Sequence, residues 1–266
     1  MKKITIIGGD LRLKILKEHL ISEGYQVDSI GLYENDNGDI KSSSIIILPV
    51  PTTKDKINVF APLTDKKIKL SDIEAEITSE QLILSCNYTF QNKKCIDYGA
   101  LDSYALLNAV PTAEGAIEIA IQNTPFTLWN STALVIGYGR VGKILADRLK
   151  KLGSDVTITA RKPSDLALAE AFGFKYINTE HLNMKPLNFN LIFNTVDVKV
   201  IKDDTVKKIN CDLIIDLSTY GGLDLNLASQ YGIKTIKAPG LPAKVSPDTA
   251  AQILCKTVTH ITNSYN

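Results

Sequence analysis

One stretch, Thr132-Ala-Leu-Val-Ile-Gly-Tyr-Gly-Arg-Val-Gly-Lys-Ile-Leu-Ala-Asp-Arg-Leu149, limits the possible folds more than any other part of the chain. An apolar run ends in Gly137, Gly139 and Gly142, and a helical pattern follows, so the spacing predicts strand, phosphate turn and helix. Gly137 permits a tight turn, Gly139 lets the backbone approach a pyrophosphate with no Cβ in the way, and Gly142 lets the helix pack closely on the strand. The first turn, with Arg140 and Val141, then offers backbone N–H groups to phosphate oxygens. A structural glycine turn is the bland alternative, but the strand before it and the helix after it favour a dinucleotide site.

The end of the next predicted strand, Val156-Thr-Ile-Thr-Ala160, decides which dinucleotide is expected. An NAD site places a carboxylate there to bind the ribose hydroxyls. This chain has Arg161, Lys162, Pro163 and Ser164, two cations and a hydroxyl that suit a 2′-phosphate, so NADP is the expected cofactor. Solvated charges at the start of a helix are the other reading of Arg161 and Lys162. Asp155 precedes the strand, at the wrong end to meet a ribose, and reads as a turn residue.

With 266 residues, 44% of them hydrophobic, the chain can fill two cores. Thirty basic residues against 29 acidic ones give a net charge of +1, which offers no bulk attraction to nucleic acid or membrane. Cys86, Cys95, Cys211 and Cys255 are scattered, without metal-ligand spacing to His19, His181 or His260, so no metal is expected. No apolar run reaches the roughly 18 residues of a membrane helix, and Met1-Lys-Lys is followed by too short an apolar stretch for a signal peptide, so a soluble intracellular protein is expected.

Ile4-Thr-Ile-Ile7, then Gly8-Gly-Asp10 and Leu11, Ile15, Leu16 and Leu20, repeat the strand-turn-helix theme at the start of the chain. A carboxylate at Asp10 would repel phosphate, so this turn is read as structural, with Asp10 as N-cap. Further buried strands are predicted at 26–30, 44–48, 81–84, 174–177, 191–193, 213–216 and 235–237. Asn108 to Ile121 reads as a helix entered at Pro111, with Thr112 as cap and Glu114 in its first turn. Ala238 to Pro247 reads as a rigid loop, and Asp248 to Thr262 as a final helix burying Ala251, Leu254, Val258 and Ile261. The expected fold is α/β, with two doubly wound, Rossmann-like parallel-sheet domains joined by a connecting helix. Residues 1–124 would form a substrate or catalytic domain and 125–245 the NADP-binding domain, with 246–266 returning to the first.

Six segments together, 7–12, 108–116, 137–142, 193–195, 215–218 and 238–244, resemble the A subunit of bacterial dipicolinate synthase over nearly the whole chain. Pro111-Thr-Ala-Glu-Gly115 and Pro239-Gly-Leu-Pro-Ala-Lys244 carry most of the specificity. The layout is more distantly similar to D-2-hydroxyacid dehydrogenases and adenosylhomocysteinase. Asp197, where the family pattern has Pro, and Ala243, where it has Gly, depart from it.

The resemblance implies oxidation of a dihydrodipicolinate-type ring, derived from 4-hydroxytetrahydrodipicolinate, to dipicolinate during sporulation. It also implies a partner, the flavoprotein-like B subunit of dipicolinate synthase, and the cytoplasm of the mother cell as location; a homo-oligomer stays open. A dicarboxylate substrate needs cations or N–H donors, so Arg12 and Lys244 are expected carboxylate ligands, Thr112 and Asn194 orienting donors, and Glu114 the proton acceptor. Asn194, Thr195 and Thr219 follow strands at the height of a nicotinamide ribose. A dehydrogenase of a small hydroxy or keto acid is the nearest alternative, disfavoured in its histidine-dependent form because no histidine falls on a cleft loop. A non-catalytic NADP-binding subunit is the alternative from another class.

Overall fold

The computed structural model describes residues 2–265 and divides the chain into two compact units, one of residues 1–108 and 242–266, the other of residues 109–241. In the first unit the strands β1 (Lys3–Ile7), β2 (Gln26–Ile30), β3 (Ile45–Ile47), β4 (Leu82–Ser85) and β5 (Cys95–Asp97) form one parallel sheet of order β2-β1-β3-β4-β5. The isoleucines and leucines of β1, β3 and β4 are buried on both faces, as a sheet covered by helices requires. Before the second unit begins, the helices here are α1 (Leu11–Ser22), α2 (Leu70–Glu76) and the first turns of α3 (Asp102–Asn123).

The second unit holds β6 (Thr132–Ile136), α4 (Arg140–Lys151), β7 (Asp155–Ala160), α5 (Pro163–Ala171), β8 (Lys175–Asn178) and β9 (Asn188–Asn194), and then α6 (Asp203–Val206), β10 (Asn210–Asp216), α7 (Leu225–Gln230) and β11 (Lys234–Lys237). Its sheet is also wholly parallel, in the order β11-β10-β9-β6-β7-β8. Counted within the unit this is the doubly wound dinucleotide-fold order, which reverses between β6 and β9. Both units are therefore the expected α/β sheets.

The helix α8 (Leu241–Val245) occupies part of the segment expected to be a loop, and α9 (Pro247–Ser264) closes the chain. Ala251, Leu254, Val258 and Ile261 of α9 share one core with Leu13, Leu16 and Leu20 of α1, so the C-terminal helix completes the first unit. Lys2 donates from Nζ to Thr262 O at 3.1 Å beside this seam. Among the described residues no helix is long and apolar enough to cross a membrane.

The connecting helix differs from its sequence reading. It starts at Asp102 and carries Pro111 inside it, and the unit boundary falls within it, at Asn108/Ala109, rather than after residue 124. Proline denies the helix one backbone bond and is usually an entry signal. Here Ala109, Ala113, Ala116 and Ala120 form a buried stripe of small residues that starts before the proline and runs beyond it, and packing overrides the local signal.

Leu254 is 1% exposed, so Leu254→Ala should cost about 2 to 5 kcal/mol by removing buried methyl groups and leaving a cavity. Denaturant unfolding would measure it. A loss below about 1 kcal/mol would mean that α9 is not held by this core.

Candidate functional site

The turn between β6 and α4 uses its three glycines for different reasons. Gly137 has φ +97°, and a Cβ there would come within 2.6 Å of Val196 Cγ1 and 2.7 Å of Thr195 Oγ1. A Cβ on Gly142 would collide with the carbonyl oxygen of Gly137, so the helix meets the turn with no room for a side chain. Gly139, by contrast, would have nothing within 4 Å of an added Cβ. The protein's own packing explains Gly137 and Gly142; open space in front of an exposed Gly139 fits the approach of an outside group such as a pyrophosphate. Gly139 is also the N-cap of α4 and supplies no side-chain acceptor, and the first helical turn carries no acid. Arg148, Lys150 and Lys151 sit in the last turn, so the charge pattern leaves the positive end of the helix dipole available to an anion. Arg140 and Val141 occupy that first turn.

The glycine turn of the first unit is built differently. Gly9 N donates to Phe60 O at 2.8 Å, and a Cβ on Gly8 would come within 2.6 Å of Val59, so the segment 59–61 covers the place a phosphate would need. Asp10 caps α1 through Arg12 N at 3.1 Å. Arg12 itself is 6% exposed. Its Nε donates to Asp10 Oδ1 at 2.9 Å, and Nη2 donates to Asp10 Oδ2 and to Val50 O, both at 2.7 Å. Burial opposes the charge of Arg12, and the Asp10 hydrogen bonds and charge outweigh it, leaving its pKa raised. The expectation of a free cation for substrate is thus corrected: the carboxylate that Arg12 binds is Asp10, and its second job is to tie the loop after β1 to the loop after β3. Tyr98 supports the same loop, donating to Leu48 O at 2.7 Å, and Tyr104 packs edge-on against Tyr98.

At the end of β7, Arg161, Lys162 and Ser164 are exposed and lead into α5. Its N-cap, Lys162, makes no side-chain cap bond, and Pro163 opens the helix. This helix start therefore gathers two cations and a hydroxyl. Asp155, at the first residue of β7, pairs with Lys175 on β8 at the opposite end of the strand.

The carboxyl ends of β9, β10 and β11 converge on a buried polar cluster. Asn194 is fully buried and donates from Nδ2 to Val196 O at 2.9 Å, to Asp216 Oδ1 at 2.8 Å and to Ser218 Oγ at 3.2 Å. Asp216, also fully buried, accepts from Ser218 N at 3.0 Å, from Ser218 Oγ at 2.6 Å and from Lys237 Nζ at 2.8 Å. Burial alone would raise the Asp216 pKa, but hydrogen bonds from Lys237, Ser218 and Asn194 hold it lowered. Asn194 is therefore corrected from a substrate donor to a residue that fixes its own loop. Gly222 packs against Asn194 so closely that a Cβ would collide with its amide. Thr195 donates to Ile136 O at 2.9 Å and borders the glycine turn, which brings Asn194, Thr195, Gly137 and Gly142 together at the reversal point of the sheet. Asp197 accepts from Thr219 N at 2.6 Å and from Tyr220 N at 3.2 Å, so the residue that departed from the family pattern ties two loops together. Sequence reasoning missed Asp216 and Lys237; the visible signal was a charge of opposite sign at the last position of each of two successive strands.

Thr112 and Glu114 fall in the body of α3, about three turns from its start, so neither the cap nor the first-turn position holds. Glu114 is exposed and accepts from Arg148 Nε at 3.3 Å and Nη at 3.1 Å. Arg148 lies in the last turn of α4, about 12 Å along that helix from its phosphate-facing end, which removes the argument for Glu114 as proton acceptor. Lys244 is exposed on α8 and belongs, with Arg12, to the first unit; Thr112, Glu114 and Asn194 belong to the second. His19 pairs with Asp248 at 3.3 Å, and His181 and His260 lie in a 3-10 turn and on α9. Among the described residues no group of three or more His, Cys, Asp or Glu side chains could hold a metal ion.

Residues 3–107 match the family described as the N-terminal domain of the dipicolinate synthase A subunit. The chain is 28% identical to the dipicolinate synthase A subunit of Bacillus subtilis (strain 168), over 97% of this chain and 95% of that protein. The crystal structure of the dipicolinate synthase A subunit from Bacillus halodurans matches with a TM-score of 0.87 and 26% identity, covering 98% of this chain and 97% of that one. The apo structure of D-lactate dehydrogenase from Escherichia coli shares the fold at a TM-score of 0.63 and 15% identity, over 99% and 96% of the two chains. The chain is thus similar to the A subunit of dipicolinate synthase from end to end, in sequence and in fold.

Two stability predictions rest on this geometry. Asp216→Ala strands Lys237 and several donors and should cost about 3 kcal/mol at neutral pH. Because the Asp216 pKa is lowered on folding, the wild type's advantage should be full above the pKa of an unfolded aspartate and fade as pH falls through the folded value. A pH series of unfolding midpoints for both proteins tests this; a constant difference down to about pH 2 would contradict it. Glu114→Gln, which breaks an exposed pair, should cost less than about 1 kcal/mol in the same assay.

Proposed function

We propose that this chain is an NADP-dependent oxidoreductase subunit that forms dipicolinate from a dihydrodipicolinate-type ring. The observation that carries this reading is the turn at Gly139, open to an incoming group and free of acidic caps, with the cationic start of α5 in the same unit. Similarity to the A subunit of dipicolinate synthase supports the product, and the shared fold of the D-lactate dehydrogenase structure supports hydride chemistry.

In this reading the backbone N–H groups of Arg140, Val141 and Gly142 hold the pyrophosphate, and Arg161, Lys162 and Ser164 hold the 2′-phosphate. NADP⁺, when bound, would accept the hydride that the ring gives up on becoming aromatic, and the proton lost with it would pass to water. Thr195 and Thr219 border the nicotinamide end, at the carboxyl ends of the strands where ligands of this fold bind. Asn194 and Asp216 fix that end by holding the loop 217–222 in one conformation. Lys244 is the proposed partner of a substrate carboxylate, and Arg12 orders the loop after β3 rather than binding substrate directly. The relatives are named for one subunit of a synthase, and this chain is likewise proposed to work with a second, flavoprotein-like one.

Calorimetric titration of NADP⁺ and NAD⁺ tests the assignment. Wild type should bind NADP⁺ more tightly, and Arg161→Ala should weaken NADP⁺ by roughly 1.5 to 3 kcal/mol while leaving NAD⁺ nearly unchanged, the loss expected for one charge-assisted hydrogen bond. Gly139→Val should abolish binding of both while the circular dichroism spectrum stays native, since an added Cβ has no protein atom within 4 Å. Equal affinities in wild type, or undiminished binding by Gly139→Val, would overturn the reading.

A further inference from the structure

The first turn of α5 holds a carboxylate, Asp165, next to Ser164 and three residues after Lys162, both proposed to bind a 2′-phosphate. An uncompensated acid there would act in two ways. It would repel a phosphate dianion, and it would offer an acceptor to ribose hydroxyls, the role an acid plays at an NAD site. The structure shows what compensates it: Lys143 Nζ, from the first turn of α4, lies 3.1 Å from Asp165 Oδ1. Lys143 is held in that place. Its ammonium lies 5.4 Å from the centre of the Tyr138 ring, Tyr138 is 5% exposed, and that ring packs edge-on against Phe174 with centroids 6.1 Å apart. Tyr138 stands between Gly137 and Gly139, so the phosphate turn and the start of α5 are joined through one aromatic ring and one ion pair.

We infer that Lys143 is a specificity-determining residue: by occupying Asp165, it keeps that carboxylate from opposing a 2′-phosphate and from serving a ribose diol. The inference rests on the NADP reading and adds a residue that no sequence pattern singles out. Arg161 and Lys162 attract the phosphate, and Lys143 silences the one acid that would favour the other cofactor.

A purely structural bridge and a specificity device make different predictions. Removing either partner breaks the same ion pair, so a structural bridge would shift binding alike in Lys143→Gln and Asp165→Asn. The specificity device predicts opposite consequences, because Lys143→Gln exposes a carboxylate whereas Asp165→Asn frees an ammonium. The ratio of NADP⁺ to NAD⁺ affinity, titrated calorimetrically into the full chain, separates them. Lys143→Gln should lower the ratio by about tenfold or more, the size expected when one charge is uncovered several ångströms from a phosphate. Asp165→Asn should hold or raise the ratio, and the double variant should return it to within about threefold of wild type, since neither charge then remains. Lys143→Arg, which keeps the charge, should hold the ratio.

Parallel shifts in the two single variants, or no shift in either, would overturn the inference while leaving the NADP reading intact. A wild type without preference for NADP⁺ would overturn both. Both side chains are partly exposed, and circular dichroism on each variant confirms that the ratio is read on folded protein.

Discussion

Everything proposed for the second unit depends on a steric constraint at one point, where the carbonyl oxygen of Gly137 leaves no space for a side chain on Gly142. The close approach fixes the direction in which α4 leaves β6 and so aims its first turn. Thr195, at the end of β9, presses on the same turn and donates to Ile136 O at 2.9 Å, which locks the reversal point of the sheet from its other side. With both neighbours packed this tightly, the open space at Gly139 is a local exception in a dense structure rather than general looseness.

The two glycine turns of the chain illustrate how similar local sequence can serve different ends. In the first unit Asp10 caps the helix and holds Arg12, and the segment 59–61 lies over the glycines. In the second unit no acid caps the helix, and no protein atom would contact a Cβ on Gly139. The difference is electrostatic as well as steric, because a carboxylate at a helix N-terminus satisfies the same dipole that an anionic ligand would otherwise use.

What could be read from the sequence was local. The strand-glycine-helix run, the parallel α/β architecture and the apolar face of α9 all follow from periodicity within a dozen residues. The start of α3 was hidden by Pro111, whose local signal lost to burial of the alanine stripe along the helix. Short β5 has too few residues for a pattern. The site errors have two causes. Asn194 has the chemistry to bind a substrate, but its partners Asp216 and Ser218 lie 22 and 24 residues away in sequence and reach it only through the fold, whereas Arg12 is taken up by Asp10, two residues before it, as well as by Val50, 38 residues on. Asp165 and Lys143 are 22 residues apart, and only the structure turns two ordinary surface charges into a pair.

Hydrogen–deuterium exchange with and without NADP⁺ tests the central claim most directly, because it reports which glycine turn meets the cofactor without altering any residue. The account predicts slowed exchange of backbone amides at 139–143 and 161–165, and no change at 8–12. Protection at 8–12, or none at 139–143 at saturating NADP⁺, would contradict it.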